Sequence, residues 1–375
     1  MTHTTGFRSG RRSFMRAIGA GAATIGVSGL SGTAGAQEDA EPAGYLSLIY
    51  DDGPVEDYEM YRVHQQYGVP GCTAACPGLL NSSENWLSSG QVLEMSDNGW
   101  EFMSHTIRHR ALGEIPIVED IATGDTRIYP EATLHGRFEG DPIVVFDEEL
   151  EAEATVAGNG EDDTGPYIEL ESGIDESFTA GSDTRVRYTE EFLRQILTES
   201  KAGLEEYVRE DQVTNLIYPY ERDDGLVSEL APEYYVATPT RDGVGLNPEY
   251  NPDPYGLGRR YMETDRMTES DIETFLDNVA EEPDYGILAG HSEYDTLPPE
   301  RVDFVLQQAQ ERNIQVVTVQ EALDIFGVAP EPERNVGGND SEPNNEPAGG
   351  GNVEEDEESM GFIQRILAFF RSLFN

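Results

Sequence analysis

From residue 44 onward, short apolar runs alternate with stretches in which apolar residues recur every three or four positions. The runs predict strands over 45–50, 69–76 and 101–104, separated by helices over 57–67 and 89–98, the second ending at Gly99. The rhythm resumes with a helix over 190–209, a strand over 215–218, a helix over 270–281 and a strand over 285–289. A helix over 300–313, a strand over 315–319 and a short helix over 320–326 complete it. Val302, Val305, Leu306 and Ala309 fall at the spacing of a helix that covers a sheet. Repeated strand–helix order implies parallel strands, in a barrel or a doubly wound sheet.

Residues 113–188 break this pattern. Apolar runs at 132–138, 143–146, 152–156, 167–170 and 184–188 are separated by Gly- and Asp-rich turns, and no helix is evident. The alternation Arg185-Val186-Arg187-Tyr188 is that of a half-buried strand, so an inserted β-rich subdomain is expected rather than a disordered acidic loop. The flanking segments 44–112 and 189–326 then form the main domain. Residues 327–359 turn to Pro, Asn, Gly and Glu, as an acidic disordered linker does. In 361–375, Phe362, Ile363, Ile366, Leu367, Phe369, Phe370, Leu373 and Phe374 share one broad face. About 14 helical residues reach about 21 Å, short of the roughly 30 Å of a bilayer core, which leaves membrane-surface or protein docking open.

Residues 1–36 have a different composition. Arg8, Arg11, Arg12 and Arg16 precede a small apolar run over 17–30 and the cleavage-like Ala34-Gly35-Ala36. Arg11-Arg12-Ser13-Phe14-Met15-Arg16 resembles a twin-arginine (Tat) export signal, so a signal peptide and a secreted, extracellular or cell-surface chain are expected. Charge changes the picture further. Acids outnumber bases 73 to 24, for a net charge of −49, and Lys201 is the sole lysine. The acids are spread along every segment, a surface that repels itself unless salt screens it, so a folded halophilic protein is expected. Nucleic-acid binding is excluded as a function class, because clustered Lys and Arg are absent. Cys72 and Cys76 would lie about 13 Å apart on an extended strand, too far for a disulfide; a tight turn would permit one. They are read as small buried hydrophobes without chemistry.

Three polar clusters sit at the C-terminal ends of predicted strands: Asp51-Asp52-Gly53-Pro54, His105 through His109, and His291. That edge is where parallel α/β folds place their active sites. Two histidines four apart, with a carboxylate from another strand, suit a divalent metal with open coordination positions. Each cluster is weak evidence alone; in strand-end register together they are much stronger.

Here the chain resembles the polysaccharide deacetylase (NodB-homology) family. Asp51-Asp52-Gly53 matches the end of its T-F-D-D-G motif, with Ile49 and Tyr50 before it, and Ser104-His105 through His109 matches H-[ST]-x-x-H. Gly99-Trp100-Glu101-Phe102 looks like the usual lead-in, and Tyr218-Pro219-Tyr220 matches the tail of R-x-P-Y-G. His291 is similar to the late histidine, and 316–323 to the closing strand. The resemblance covers roughly 44–112 and 189–326.

It implies a distorted (β/α) barrel and a metal-dependent hydrolase, zinc being the expected ion, that removes acetyl groups from an extracellular polysaccharide or glycan, N-acetyl being the leading expectation and O-acetyl left open. By resemblance Asp51 is the general base, Asp52, His105 and His109 hold the metal, the Tyr220 backbone N–H supports oxyanion charge, and His291 protonates the leaving amine. Ile217 stands where the family has an arginine paired with the base, Glu221 where it has glycine, and Ala289 where it has leucine. Arg260 is the expected substitute for the missing arginine. The rival reading is a carbohydrate-binding or cell-surface protein on the same fold with impaired turnover. A two-histidine-one-carboxylate oxygenase is disfavoured by spacing and by the β/α order.

Overall fold

The computed structural model describes residues 41–328, apart from 209–211, 244 and 282–283. The expected export signal, almost all of the acidic linker and the C-terminal amphipathic helix lie outside the described residues.

The chain opens with β1 (Gly44–Tyr50), α1 (Asp57–Tyr67), β2 (Cys72–Ala75), α2 (Ser89–Asp97) and β3 (Glu101–Ser104). Next come β4 (Ile115–Ile117), β5 (Arg127–Ile128), β6 (Pro142–Phe146), β7 (Glu151–Glu161), β8 (Pro166–Leu170) and β9 (Gly181–Tyr188). Then follow α3 (Glu190–Glu205), α4 (Leu226–Leu230), β10 (Arg241–Asp242), β11 (Leu246–Pro248) and β12 (Gly258–Tyr261). The described part ends with α5 (Glu269–Glu281), β13 (Asp284–Gly290), α6 (Pro299–Glu311), β14 (Ile314–Val316) and α7 (Val319–Phe326). Local chemistry sets several boundaries. Ser88 and Gln91 form a reciprocal cap on α2, as Thr318 and Glu321 do on α7, and left-handed Gly68 and Gly327 end α1 and α7.

The main sheet runs β10-β12-β13-β1-β2-β3 with parallel pairing, β14 also lies parallel to β1, and β11 adds antiparallel to β13. β1 is the centre, with Tyr45–Tyr50 in register with Tyr285–Gly290 of β13. Its two faces serve two cores. Leu46, Leu48 and Tyr50 pack with α1, α5 and α6 through Met60, Ile272, Phe275, Val302, Val305 and Leu306. Ile49 belongs to an inner core with Cys72, Met103, Ile217, Ala237, Leu257, Tyr261 and Ile287, floored by Ala322 and Leu323 of α7. β1, β2, β3, β12 and β13 each contribute residues to this inner core. Burying each large side chain stabilises the fold by about 1.5–3 kcal/mol.

Differences from expectation follow local sterics. The predicted strand over 215–218 is reduced to two single bridges, Ser104 to Leu216 and Asn215 to Ala237, then a 3-10 turn over Pro219–Glu221. Pro219 has no N–H to extend a ladder. The apolar run at 132–138 forms a 3-10 turn, Leu134–Gly136, not a strand. β4, β5, β10, β11 and β12 are too short or too polar to stand out in the pattern. The expected β-rich insert is present as a separate six-stranded antiparallel sheet in the order β4-β9-β6-β7-β8-β5. Cys72 and Cys76 are buried, unbridged thiols, and burial pushes both thiol pKa values up. No helix among the described residues is long and apolar enough to cross a membrane.

Candidate metal centre and catalytic cleft

The ends of β1, β3, β12 and β13 meet at one edge of the parallel sheet. Asp51 and Asp52 follow β1, His105 follows β3, and His291 follows β13. The backbone there is tightly bent. Asp52, Thr106, His109, Tyr220 and Glu221 are five of the eight non-glycine residues with positive φ among the described residues. Such conformations cost on the order of 1 kcal/mol or more each and persist only where surroundings impose them. Gly53, at φ 79°, is required for a second reason: a Cβ there would lie 3.1 Å from that of Ala75.

Asp52, His105 and His109 form a compact donor set, with their ligand atoms within 4.8 Å of one another. Asp52 Oδ1 lies 3.3 Å from His105 Nε2 and 3.1 Å from His109 Nε2. His105 Nδ1–H donates to the Ile217 carbonyl at 2.8 Å, which turns Nε2 toward the Asp52 carboxylate. Burial and the neighbouring His105 hold the His109 pKa down at about 4, so that ring is neutral. Burial alone would raise the Asp52 pKa, but the adjacent His105 and then His109 outweigh it and hold the carboxyl below its usual range. Asp52 Oδ1 is buried yet has no hydrogen-bond partner. A buried carboxylate oxygen with no hydrogen-bond partner and two imidazole nitrogens converging on it are the expected surroundings of a cation, and the N,N,O set fits a divalent transition metal.

Beside this trio lies a second ionic group. Asp51 is 2% exposed and accepts from Arg259 Nη1 at 2.8 Å, Arg259 itself being 1% exposed. Burial would raise the Asp51 pKa, but the Arg259 charge and the charge of His105 hold it below the usual carboxylate range. Arg259 also donates to the Tyr261 hydroxyl at 2.7 Å and to the Thr240 carbonyl at 3.3 Å. His291 Nε2 lies 3.9 Å from Asp51 Oδ2, and its Nδ1 bonds to Glu263 Oε1 at 3.1 Å. The ring is stacked between Tyr261 and Tyr294, at centroid distances of 5.5 and 4.9 Å. Burial favours the neutral ring, but the Glu263 hydrogen bond and the two aspartates prevail and raise the His291 pKa to about 9. Gly290 keeps this corner open, since a Cβ there would meet Leu297 Cδ2 at 2.6 Å.

The structure thus gathers Asp51, Asp52, His105, His109 and His291 into one cleft. Tyr220 is there too: it is 39% exposed at φ 60°, and its ring lies 4.4 Å from that of His109. The expectation for Arg260 is corrected. Leu257 and Tyr261 point into the inner core, so period-two alternation sends Arg259 inward with them and turns Arg260 to the opposite face, where it is half-buried. Arg259 therefore makes the ion pair with Asp51, and Ile217 is left as an inner-core residue. Glu221, in the place of the motif's glycine, lies 4.0 Å from Arg259. Sequence reasoning also missed Glu263 and the flanking tyrosines. Glu263 shares the parity of Arg259 and Tyr261, but neither β12 nor its register was recognised.

No family model matches the chain, and no curated protein matches it. Similar solved structures include a family 4 acetyl xylan esterase from Clostridium thermocellum in complex with a cobalt ion. It is 11% identical at a TM-score of 0.43, over 77% of this chain and 96% of that one. A carbohydrate esterase domain of a multidomain xylanase, from the hindgut metagenome of Trinervitermes trinervoides, is 12% identical at 0.41, over 78% and 95%. A peptidoglycan deacetylase from Bacillus subtilis is 12% identical at 0.41, over 76% and 92%.

Proposed function

We propose that the protein is a metal-dependent hydrolase that removes acetyl groups from an extracellular glycan, on a NodB-homology type of distorted (β/α) barrel. The observation that carries this reading is the convergence of the Asp52–His105–His109 ligand atoms with the Arg259-paired Asp51 and with His291 at one site. Asp52, His105 and His109 would hold the ion, and the two-histidine, one-carboxylate set favours zinc. A divalent cation bound there lowers the pKa of water and stabilises negative charge on an acyl oxygen.

This chain's own residues account for the proton movements. Asp51, kept charged and oriented by Arg259, accepts a proton from the attacking water. As water oxygen bonds to the acetamide carbon and the C–N bond breaks, His291 Nε2 delivers its proton to the departing amine; Glu263 fixes the ring through Nδ1. Acetate and a free sugar amine result. The Tyr220 backbone N–H, placed by its left-handed conformation, is assigned as a donor to the acyl oxygen. The binding-only reading drew its support from the arginine missing at 217, and the Arg259–Asp51 pair removes that support.

Export and function at the cell surface fit the expected signal segment, and docking through 361–375 fits its apolar face. The test is acetate release from acetylated glycans by the full chain. Chelation should abolish it, and zinc should restore it together with about one bound ion per chain. Equal activity in metal-free protein, or metal and polymer bound with no acetate from any glycan, would replace this reading with the binding one.

A further inference from the structure

We propose that the β-rich insert supplies an anion-recognition point to the cleft, Arg137, and that the substrate is an acidic glycan with a carboxylate near the acetamido sugar. The inference rests on the deacetylase reading for the word substrate, not for the recognition itself.

Arg137 is exposed and reaches from the insert to the rim of the site, where Nη1 donates to the Tyr220 hydroxyl. Its Cζ lies 5.8 Å from the centre of the Tyr220 ring, which in turn packs at 4.4 Å on His109. The guanidinium is therefore one aromatic ring away from the proposed metal centre. In a chain where acids outnumber bases 73 to 24, an arginine readily finds a carboxylate. Arg110, Arg187, Arg194, Arg259 and Arg312 each do so. Arg137 has no carboxylate partner among the described residues, and its side chain is exposed beside the Tyr220 ring.

Its position is built rather than incidental. The preceding turn is pinned into the insert: His135 is fully buried with its ring edge-to-face against Tyr188 at 4.6 Å. Gly136 is packed so closely that a Cβ would meet Ile168 Cγ1 at 2.8 Å, and its carbonyl accepts from Asn159 Nδ2 at 2.8 Å. On the other side, Phe138 lies under the Arg110 guanidinium at 4.1 Å, and Arg110 is held by both carboxylate oxygens of Asp141. A planar fork of donors held this way suits a carboxylate better than a neutral hydroxyl. The charges facing it agree. Asp51 is offset by Arg259, and Asp52 would be offset by a cation held by the trio.

Two hexasaccharides that share the acetamido sugar separate the possibilities: one of alternating N-acetylglucosamine and glucuronate, the other of N-acetylglucosamine alone. Affinity is measured by calorimetry on the full zinc-loaded chain carrying Asp51→Asn, and KM on the otherwise unaltered chain. The acidic hexamer should bind about tenfold more tightly, the worth of one exposed charge-assisted contact. Arg137→Gln should bring the ratio close to one, and Arg137→Lys should restore part of it. A ratio near one in the unaltered recognition site, binding of neither hexamer, or an Arg137→Gln effect that weakens both alike would overturn the proposal; the last would make Arg137 a strut between insert and loop. Retained preference with no acetate released from either would overturn the hydrolase reading and leave the recognition point standing.

Discussion

Replacing Arg259 by Met isolates the contribution of the buried ion pair. Asp51 and Arg259 are 2% and 1% exposed and 2.8 Å apart, so deletion of the guanidinium strands a buried carboxylate without its closest counter-charge. Breaking a buried pair from one side costs about 3–5 kcal/mol. A second route points the same way: with the guanidinium gone, burial pushes the Asp51 pKa up, against the remaining His105 and His291. For a domain of this size, that loss lowers Tm on the order of 10 °C. Its pH dependence has a definite sign. In the parent, the depressed Asp51 pKa contributes stability above the unfolded value near 3.9, lost as pH falls through the folded value. In Arg259→Met the folded pKa is raised instead, so stability declines as pH rises from about 4 toward that raised value. The gap between parent and variant should therefore be widest near neutrality and close on acidification. Thermal melts by circular dichroism from pH 4 to 8 read this, and acetate release should fall by about 10² because the base is protonated. Pairing Arg259→Met with Asp51→Asn should recover most of the stability and none of the activity. Equal melts for Arg259→Met and Arg260→Met, or strict additivity with Asp51→Asn, would refute the assignment.

Glu263→Gln removes the charge that holds the His291 proton and leaves only a neutral amide acceptor, so the His291 pKa should fall from about 9 toward its ordinary value. The alkaline limb of the activity profile should move down by about one unit or more, read from kcat against pH; an unmoved limb would exclude His291 as the proton donor. The acidic surface should make folding salt-dependent, with Tm rising across a salt series from dilute buffer to molar concentration; a melt unchanged at low salt would remove the halophilic reading.

Much of this was legible in the chain. β1 and β13 are apolar almost throughout because both faces are buried, and α6 shows its covering face at Val302, Val305, Leu306 and Ala309. Asp51, Asp52, His105 and His291 were locatable because they lie at or just beyond strand ends, where hydrophobic patterning stops. What escaped depended on register. Arg259 and Arg260 are adjacent and chemically alike, and only the inward parity of Leu257 and Tyr261 tells them apart. Glu263 was missed for the same reason, and the Arg137–Tyr220 contact joins residues 83 apart through a turn that reads as a strand.

The seam between β3 and β10 has a consequence for how such a molecule can diversify. Only single bridges tie Ser104 to Leu216 and Asn215 to Ala237, whereas β1 and β13 share six paired residues. The insert leaves and rejoins the chain between β3 and that sparse region. Few ladder bonds need to be preserved there, so lineages could enlarge, trim or exchange the insert while the strand ends bearing Asp52 and His105 stay fixed. The rim that carries Arg137 is then a module open to selection, and glycan preference could drift independently of the chemistry beneath it.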